Sequence, residues 1–243
     1  MTDFDLSLDR FAWCWQSVST EEARYYLQGV YVEPREQGGV YMVATDGHVM
    51  AVAVDERGRC AEPAIIAIGA DFVEMAKPHV DENLETGEEY RHWPLPLNYR
   101  LQFDTPPPGG SVVAKAWLSG TASGMTRTGI VTRIDGRFPD WRQAVKATDK
   151  KCAPAPGPIG TVDPALLSRL SYRGGGVMHL PRSGVIPKNR DQRRPGAVVI
   201  IETAPWACGF LMSKAVDAWA DYGDLARELL TKDDLPANLG VWP

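Results

Sequence analysis

The sequence predicts an α+β fold assembled from one structural unit used more than once, a short helix followed by three strands. Two observations carry this. Apolar residues switch from helical to strand spacing in the same order twice between residues 6 and 145, and turns rich in Gly, Pro and Asp separate the runs. The repeat lies in the order of elements, not in sequence identity.

Leu8, Phe11, Ala12 and Trp15 fall at i, i+3, i+4 and i+7, which predicts an amphipathic helix over 6–16 with Asp5 or Ser7 as its cap. Apolar runs at 25–32 and 40–44, joined by a polar, Gly-containing connection at 33–39, predict a hairpin. The second run ends in Thr45-Asp46-Gly47-His48, where Gly tolerates the positive φ of a tight turn, and a third strand follows at 49–54. The second copy opens with a strand at 63–68 and a helix at 71–80, whose buried side is Phe72, Val73, Met75 and Ala76 and which Pro78 must end or kink. An acidic, exposed loop is expected at 81–90, then strands at 99–103, 112–118 and 129–134, with turns at 106–110 and 119–124.

Residues 146–158 (KATDKKCAPAPGP) are the best linker candidate, which divides the chain into 1–145, the linker, and 159–243. A third, shorter copy follows: a strand at 159–162, a helix over 163–172 opened by Asp163-Pro164, and strands at 177–180, 197–202 and 208–212. The tail differs, with Val216, Trp219, Ala220, Leu225, Leu229 and Leu230 at helical spacing.

Composition bounds the function without choosing it. The 243 residues are 44% apolar with eight Trp, ample for a core, and no apolar run approaches the roughly 18 residues of a membrane span. The start, MTDFDLSLDR, lacks a basic region followed by an apolar block, so a cytoplasmic location is expected. The four Cys (14, 60, 152, 208) form no CxxC pair and read as free thiols. The net charge of −5 does not exclude DNA, because binding depends on the local field of a basic face. There is no P-loop, GxGxxG or HExxH motif, and His48, His79, His92 and His179 stand apart, so no metal, cofactor or catalytic residue is expected. Asp46 and His48 would make a poor acid/base pair, since residues two apart on a turn rarely point at each other and no nucleophile stands near.

Three stretches add a resemblance. RYYLQG (24–29), ATDGH (44–48) and GRFPDWRQ (136–143), in this order and spacing, resemble the middle domain of the bacterial DNA polymerase III β subunit, the sliding clamp. The match covers about residues 6–145, is weaker to Met212 and stops there. It implies the DNA-clamp fold: repeated βαβββ units, the first strand here short or absent, with curved antiparallel sheets outside and helices on the inner face. It further implies a non-enzymatic processivity factor and homo-oligomer that encircles or cradles double-stranded DNA without sequence preference. Such a protein tethers DNA polymerase and other clamp-binding peptides, and is served by a clamp loader. The rival readings are a partner-binding module that closes no ring and an unrelated α+β enzyme.

Carried over residue by residue, the resemblance implies a peptide pocket of Leu27, Thr45, Gly47, His48, Val49, Met50, Pro139, Gln143, Ala144, Phe210 and Met212. Val49 stands where the family usually has Arg and Met50 where it has Leu, which would make the rim more apolar; Met adapts to variable side chains. For DNA, Arg24 and Tyr26 match family positions whose neighbourhood faces the duplex. The loop with Arg182, Lys188, Arg190, Arg193 and Arg194 has five basic residues against Asp191 and is a candidate phosphate contact, with Arg169 and Arg173 on the preceding helix.

Overall fold

A computed structural model describes residues 2–70, 72, 79–82, 89–92, 99–118, 126–145, 164–170, 177–179 and 198–212. The first unit is β1 (Phe4–Ser7), α1 (Leu8–Trp15), β2 (Val30–Pro34), β3 (Val40–Thr45) and β4 (Val49–Asp55). Next come β5 (Ala64–Ile68), β6 (His79–Glu82), β7 (Glu89–His92), β8 (Tyr99–Phe103), β9 (Ser111–Leu118) and β10 (Thr126–Ile134). The third unit contributes α2 (Pro164–Leu170), β11 (Val177–His179), β12 (Val198–Ala204) and β13 (Ala207–Met212).

Among the described residues, eleven strands form one curled antiparallel sheet, in the order β1-β8-β9-β10-β5-β2-β3-β4-β13-β12-β11. Two meanders, β2-β3-β4 and β8-β9-β10, exchange their opening strands. β1 pairs with β8, the first strand of the other unit's meander, and β5 pairs with β2. Of these two strands β5 also forms a ladder with its own unit's meander, through β10. The third meander joins through β13 on β4, with Phe210 opposite Met50 and Leu211 opposite Val49.

Alternation along each strand separates two apolar faces. Val49, Ala51 and Ala53 of β4 face a core with Phe11 and Trp13 of α1, Leu170 of α2, and Phe72. Met50 and Val52 face the other way. Both helices lie on the first of these faces and touch, because the indole N–H of Trp13 donates to the carbonyl of Leu170 at 3.3 Å while its ring meets Trp206 edge-on at 5.9 Å. Buried contacts on both flanks explain why α1 is buried well beyond one stripe, with Trp13 and Cys14 as covered as Phe11.

Sequence and structure part at four places. Strand β1 stands where the helix over 6–16 was expected to begin. Its Asp-interleaved four residues offer little periodicity, yet Phe4 stacks on Phe103 at 4.7 Å and Leu6 is fully buried. Residues 25–27 are not strand: Glu22–Leu27 forms two 3-10 turns kinked at Arg24, and β2 starts at Val30, next to Gly29, where a Cβ would lie 2.9 Å from the Ile66 carbonyl oxygen. Helix does not reach Val80, since β6 begins at His79; Pro78 bars continuation. The acidic loop at 81–90 is strand at both ends, because β6 and β7 pair as a separate ribbon that charged residues conceal from a hydrophobicity reading. Residues 71 and 73–78, the turn at 119–124, the linker at 146–158, the strand at 159–162, the ends of the helix at 163–172, the loop at 182–195 and the tail from 213 lie outside the described residues.

One polar cluster closes the far end of the first unit. Asp55, 2% exposed, accepts the Ser7 N–H at 2.7 Å, the Arg57 N–H at 3.1 Å and Arg100 Nη1 at 3.0 Å. Arg100 reaches on to the Asp5 carboxylate at 2.7 Å, so β4, β1 and β8 meet at one guanidinium. Ser7 is the residue before α1, but its hydroxyl makes no cap bond.

Candidate functional site

The turn after β3 supplies most of its own hydrogen bonds. Thr45 Oγ1 donates to the Val49 carbonyl at 2.6 Å and accepts the Gly47 N–H at 3.0 Å. Asp46 Oδ1 accepts the N–H groups of His48 and Val49 at 2.7 and 2.9 Å. Gly47 has φ +91°, a value side chains resist, and a Cβ there would also meet Arg24 Nη1 at 2.7 Å. Burial raises the Asp46 pKa, but the two amides and Arg169 outweigh it and hold the carboxyl below its ordinary range. With its oxygens committed to N–H donors, Asp46 is a turn former and not a general base. The His48 side chain is exposed.

Behind this turn lies the second apolar face. Leu27, Val43, Met50, Val52, Ile65 and Phe138 form a cluster, with Tyr26, Tyr31, Tyr41, Ile134, Trp141, Val145 and Phe210 packed against it. The segment 136–145 is laid over the strands: Phe138 stacks on Tyr31 at 4.9 Å, and Trp141 meets Tyr41 at 5.4 Å. Glu33 anchors it, accepting Trp141 Nε1 at 3.0 Å and pairing with Arg142 at 2.5 Å. Arg142 in turn lies over the Trp141 ring, 4.4 Å from its centroid. Burial, then the neighbouring Glu33, pushes the Tyr31 hydroxyl up to about 12. Asp140 Oδ1 accepts the Gln143 N–H at 3.1 Å and starts the helical turn at residues 141–145.

The structure therefore gathers Leu27, Met50 and Phe210 into one cluster, with Leu27 and Met50 buried, Phe210 partly buried, and Thr45, Gly47 and His48 on the adjoining turn. Pro139, Gln143 and Ala144 are exposed on the covering segment. Val49 is not part of the patch. At 1% exposure it lies in the helix-side core, because one step along a strand reverses the side chain. Met212 ends β13 opposite Val198. Sequence reasoning missed Phe138, Trp141, Glu33 and Arg142; the aromatic spacing within GRFPDWRQ was the available signal.

The proposed DNA residues fare differently. Arg24 is 40% exposed, paired with Glu21 at 3.1 Å, and donates to the Asp46 carbonyl at 2.9 Å. Tyr26 packs against the outer patch, away from the helix-side face. Arg169 is held inside the chain by three hydrogen bonds, so the phosphate contact expected of it conflicts with its geometry. Its Nε donates to the Gln16 carbonyl at 2.6 Å, Nη1 to Asp46 Oδ2 at 2.6 Å and Nη2 to the Val18 carbonyl at 3.3 Å. Arg173, Arg182, Lys188, Arg190, Arg193 and Arg194 lie outside the described residues. Among the described residues no helix is long and apolar enough to cross a membrane.

Neither a protein-family model nor a curated relative matches the chain. Among solved structures it is similar to the DnaN sliding clamp (DNA polymerase III subunit β) of Bartonella birtlesii bound to griselimycin. The identity is 15%, the TM-score 0.48, and the match covers 89% of this chain and 67% of that one. The Helicobacter pylori β clamp bound to a DNA ligase peptide is 11% identical with a TM-score of 0.47, over 88% of this chain and 66% of that one. For the Bacillus subtilis sliding clamp the figures are 12% and 0.45, over 88% and 64%. The chain is thus similar to bacterial DNA polymerase III β subunit sliding clamps and spans about two thirds of their length.

Proposed function

We propose that this protein is a non-enzymatic sliding-clamp-like processivity factor, one that holds duplex DNA without reading its sequence and tethers partner proteins through the outer patch. One observation carries the reading. The three stretches that suggested the family from sequence converge in space: Leu27 of RYYLQG, Met50 just after ATDGH and Phe138 of GRFPDWRQ share one apolar cluster. Phe210 of the third unit joins them across the β4–β13 ladder, so the patch draws on both parts of the chain. Leu27, Met50 and Phe138 form a buried floor, and the partly covered Tyr26, Tyr41, Trp141 and Phe210 around it suit a short peptide carrying Leu or Phe. Several copies of the chain would close around DNA, with the helix-bearing face inward and the loop at 182–195 supplying phosphate contacts.

Retention on circular DNA tests the ring. The protein loaded on nicked circles should stay bound and be released when the circle is linearised. Equal retention on both forms would assign it to an open module that keeps only the peptide patch. Solution mass measured with and without the circle gives the number of chains.

The patch has its own test. Phe210 is only partly buried, so Phe210→Ala should weaken a Leu/Phe peptide about tenfold, roughly 1.4 kcal/mol, just under the roughly 1.5–3 kcal/mol of a fully covered large apolar side chain. Its urea midpoint should move little. An unaltered peptide Kd would remove Phe210 from the binding surface.

A further inference from the structure

Two guanidinium groups brace the turn at residues 45–49, and they come from different parts of the chain. Arg24, 22 residues away in sequence, holds the Asp46 carbonyl. Arg169, on α2 and 123 residues away, holds Asp46 Oδ2. The two carboxylate oxygens divide the work, since Oδ1 is occupied by the His48 and Val49 N–H groups. Arg169 meanwhile fastens the end of α1 through the carbonyls of Gln16 and Val18. A single side chain thus ties α2, the segment after α1 and the turn into one joint, with the pair shielded at 27% and 15% exposure.

We propose that Arg169 is a positioning residue for the outer patch: by clasping Asp46 it makes the geometry of residues 46–50 depend on the seating of α2. The inference rests on the peptide reading for its functional consequence, but the clasp itself does not. Val49 N–H is bonded to the clasped carboxylate, and the next residue, Met50, belongs to the patch opposite Phe210. Rotation of the Asp46 side chain would release the His48 and Val49 amides together and loosen the first residues of β4. The third unit therefore grips this strand start twice, through the β13 ladder on one side and through Arg169 at the turn. An arginine suits the role because its planar fork serves three acceptors at once, which an ammonium group cannot do in the same geometry.

Asp46→Asn separates the two functions of the carboxylate. The amide keeps an oxygen for the His48 and Val49 N–H groups but presents a second donor to the guanidinium. Hydrogen exchange of the His48 and Val49 amides, measured on the full chain, should accelerate roughly tenfold in Asp46→Asn and in Arg169→Gln, the order expected for one charge-assisted hydrogen bond. The double variant should exchange no faster than either single one. Arg169→Lys, which keeps a cation near Asp46 and loses the fork to Gln16 and Val18, should recover part of the protection. A Leu/Phe peptide should bind Arg169→Gln several-fold more weakly, with retention on nicked circular DNA unchanged. Unchanged exchange in Arg169→Gln overturns the clasp, and so do additive effects in the double variant. Lost DNA retention with intact amide protection overturns it in favour of a phosphate contact. If the native protein binds no such peptide, the patch reading fails, and the amide data still decide the clasp.

Discussion

Val49→Arg is expected to leave no folded protein at room temperature. The resemblance invites this change, because the family usually carries arginine at the matching position. Here the side chain at 49 is 1% exposed, opposite Leu211 and inside the helix-side core. An arginine there would bring an unpaired charge into that core, at an effective cost of at least several kcal/mol after relaxation. Native domains have only about 5–15 kcal/mol to lose. Far-UV circular dichroism and a urea titration decide the matter. A folded variant with an unchanged midpoint and an altered peptide preference would put position 49 on the rim of the patch after all.

Asp55→Ala should be the next most damaging change, lowering stability by about 3 kcal/mol or more, in the range seen when one partner is removed from a buried ion pair. It strands the Ser7 N–H and the Arg57 N–H and leaves Arg100 with Asp5 as its remaining carboxylate partner. Asp55→Asn keeps acceptor capacity for one amide and should cost less. Arg100 is itself 13% exposed, which screens part of the interaction. A denaturation midpoint shift worth under about 1 kcal/mol would mean that water replaces the lost contacts.

How much of this could be read in the sequence depended on whether a signal was local. Tyr99–Phe103 was expected at its observed bounds, and β3, β4 and β13 within a residue or so, because the first alternates and the others are apolar runs of strand length that the chain itself displays. Strand β1 could not be read this way. Its stability comes from Phe103 and Arg100, about a hundred residues on, and four residues with two aspartates in or beside them carry no usable period. The TDGH turn was legible because Gly47 and Asp46 each have a geometric reason to be there. The bond between Asp46 and Arg169 was not, since an exposed phosphate ligand and an internal brace are the same letter in a sequence. Val49 was misplaced for a related reason. Matching a motif fixes position along the strand, but which face a side chain occupies follows from packing on both sides.

The exchange of opening strands between the two meanders has a consequence for synthesis. On the ribosome β1 is made long before β8, and its register, Phe4 opposite Phe103, cannot form until both are out of the tunnel. The β2-β3-β4 hairpins can close early, but β2 then shows an open edge until β5 arrives, and β4 shows one until β13 does. Contacts of such long sequence separation are closed late and slowly. A nascent chain interrupted anywhere before residue 103 therefore carries adhesive strand edges and no complete unit. Such a chain calls for chaperone cover during translation, and genetic cuts that respect the visible repeat would sever the pairing that makes each repeat stable.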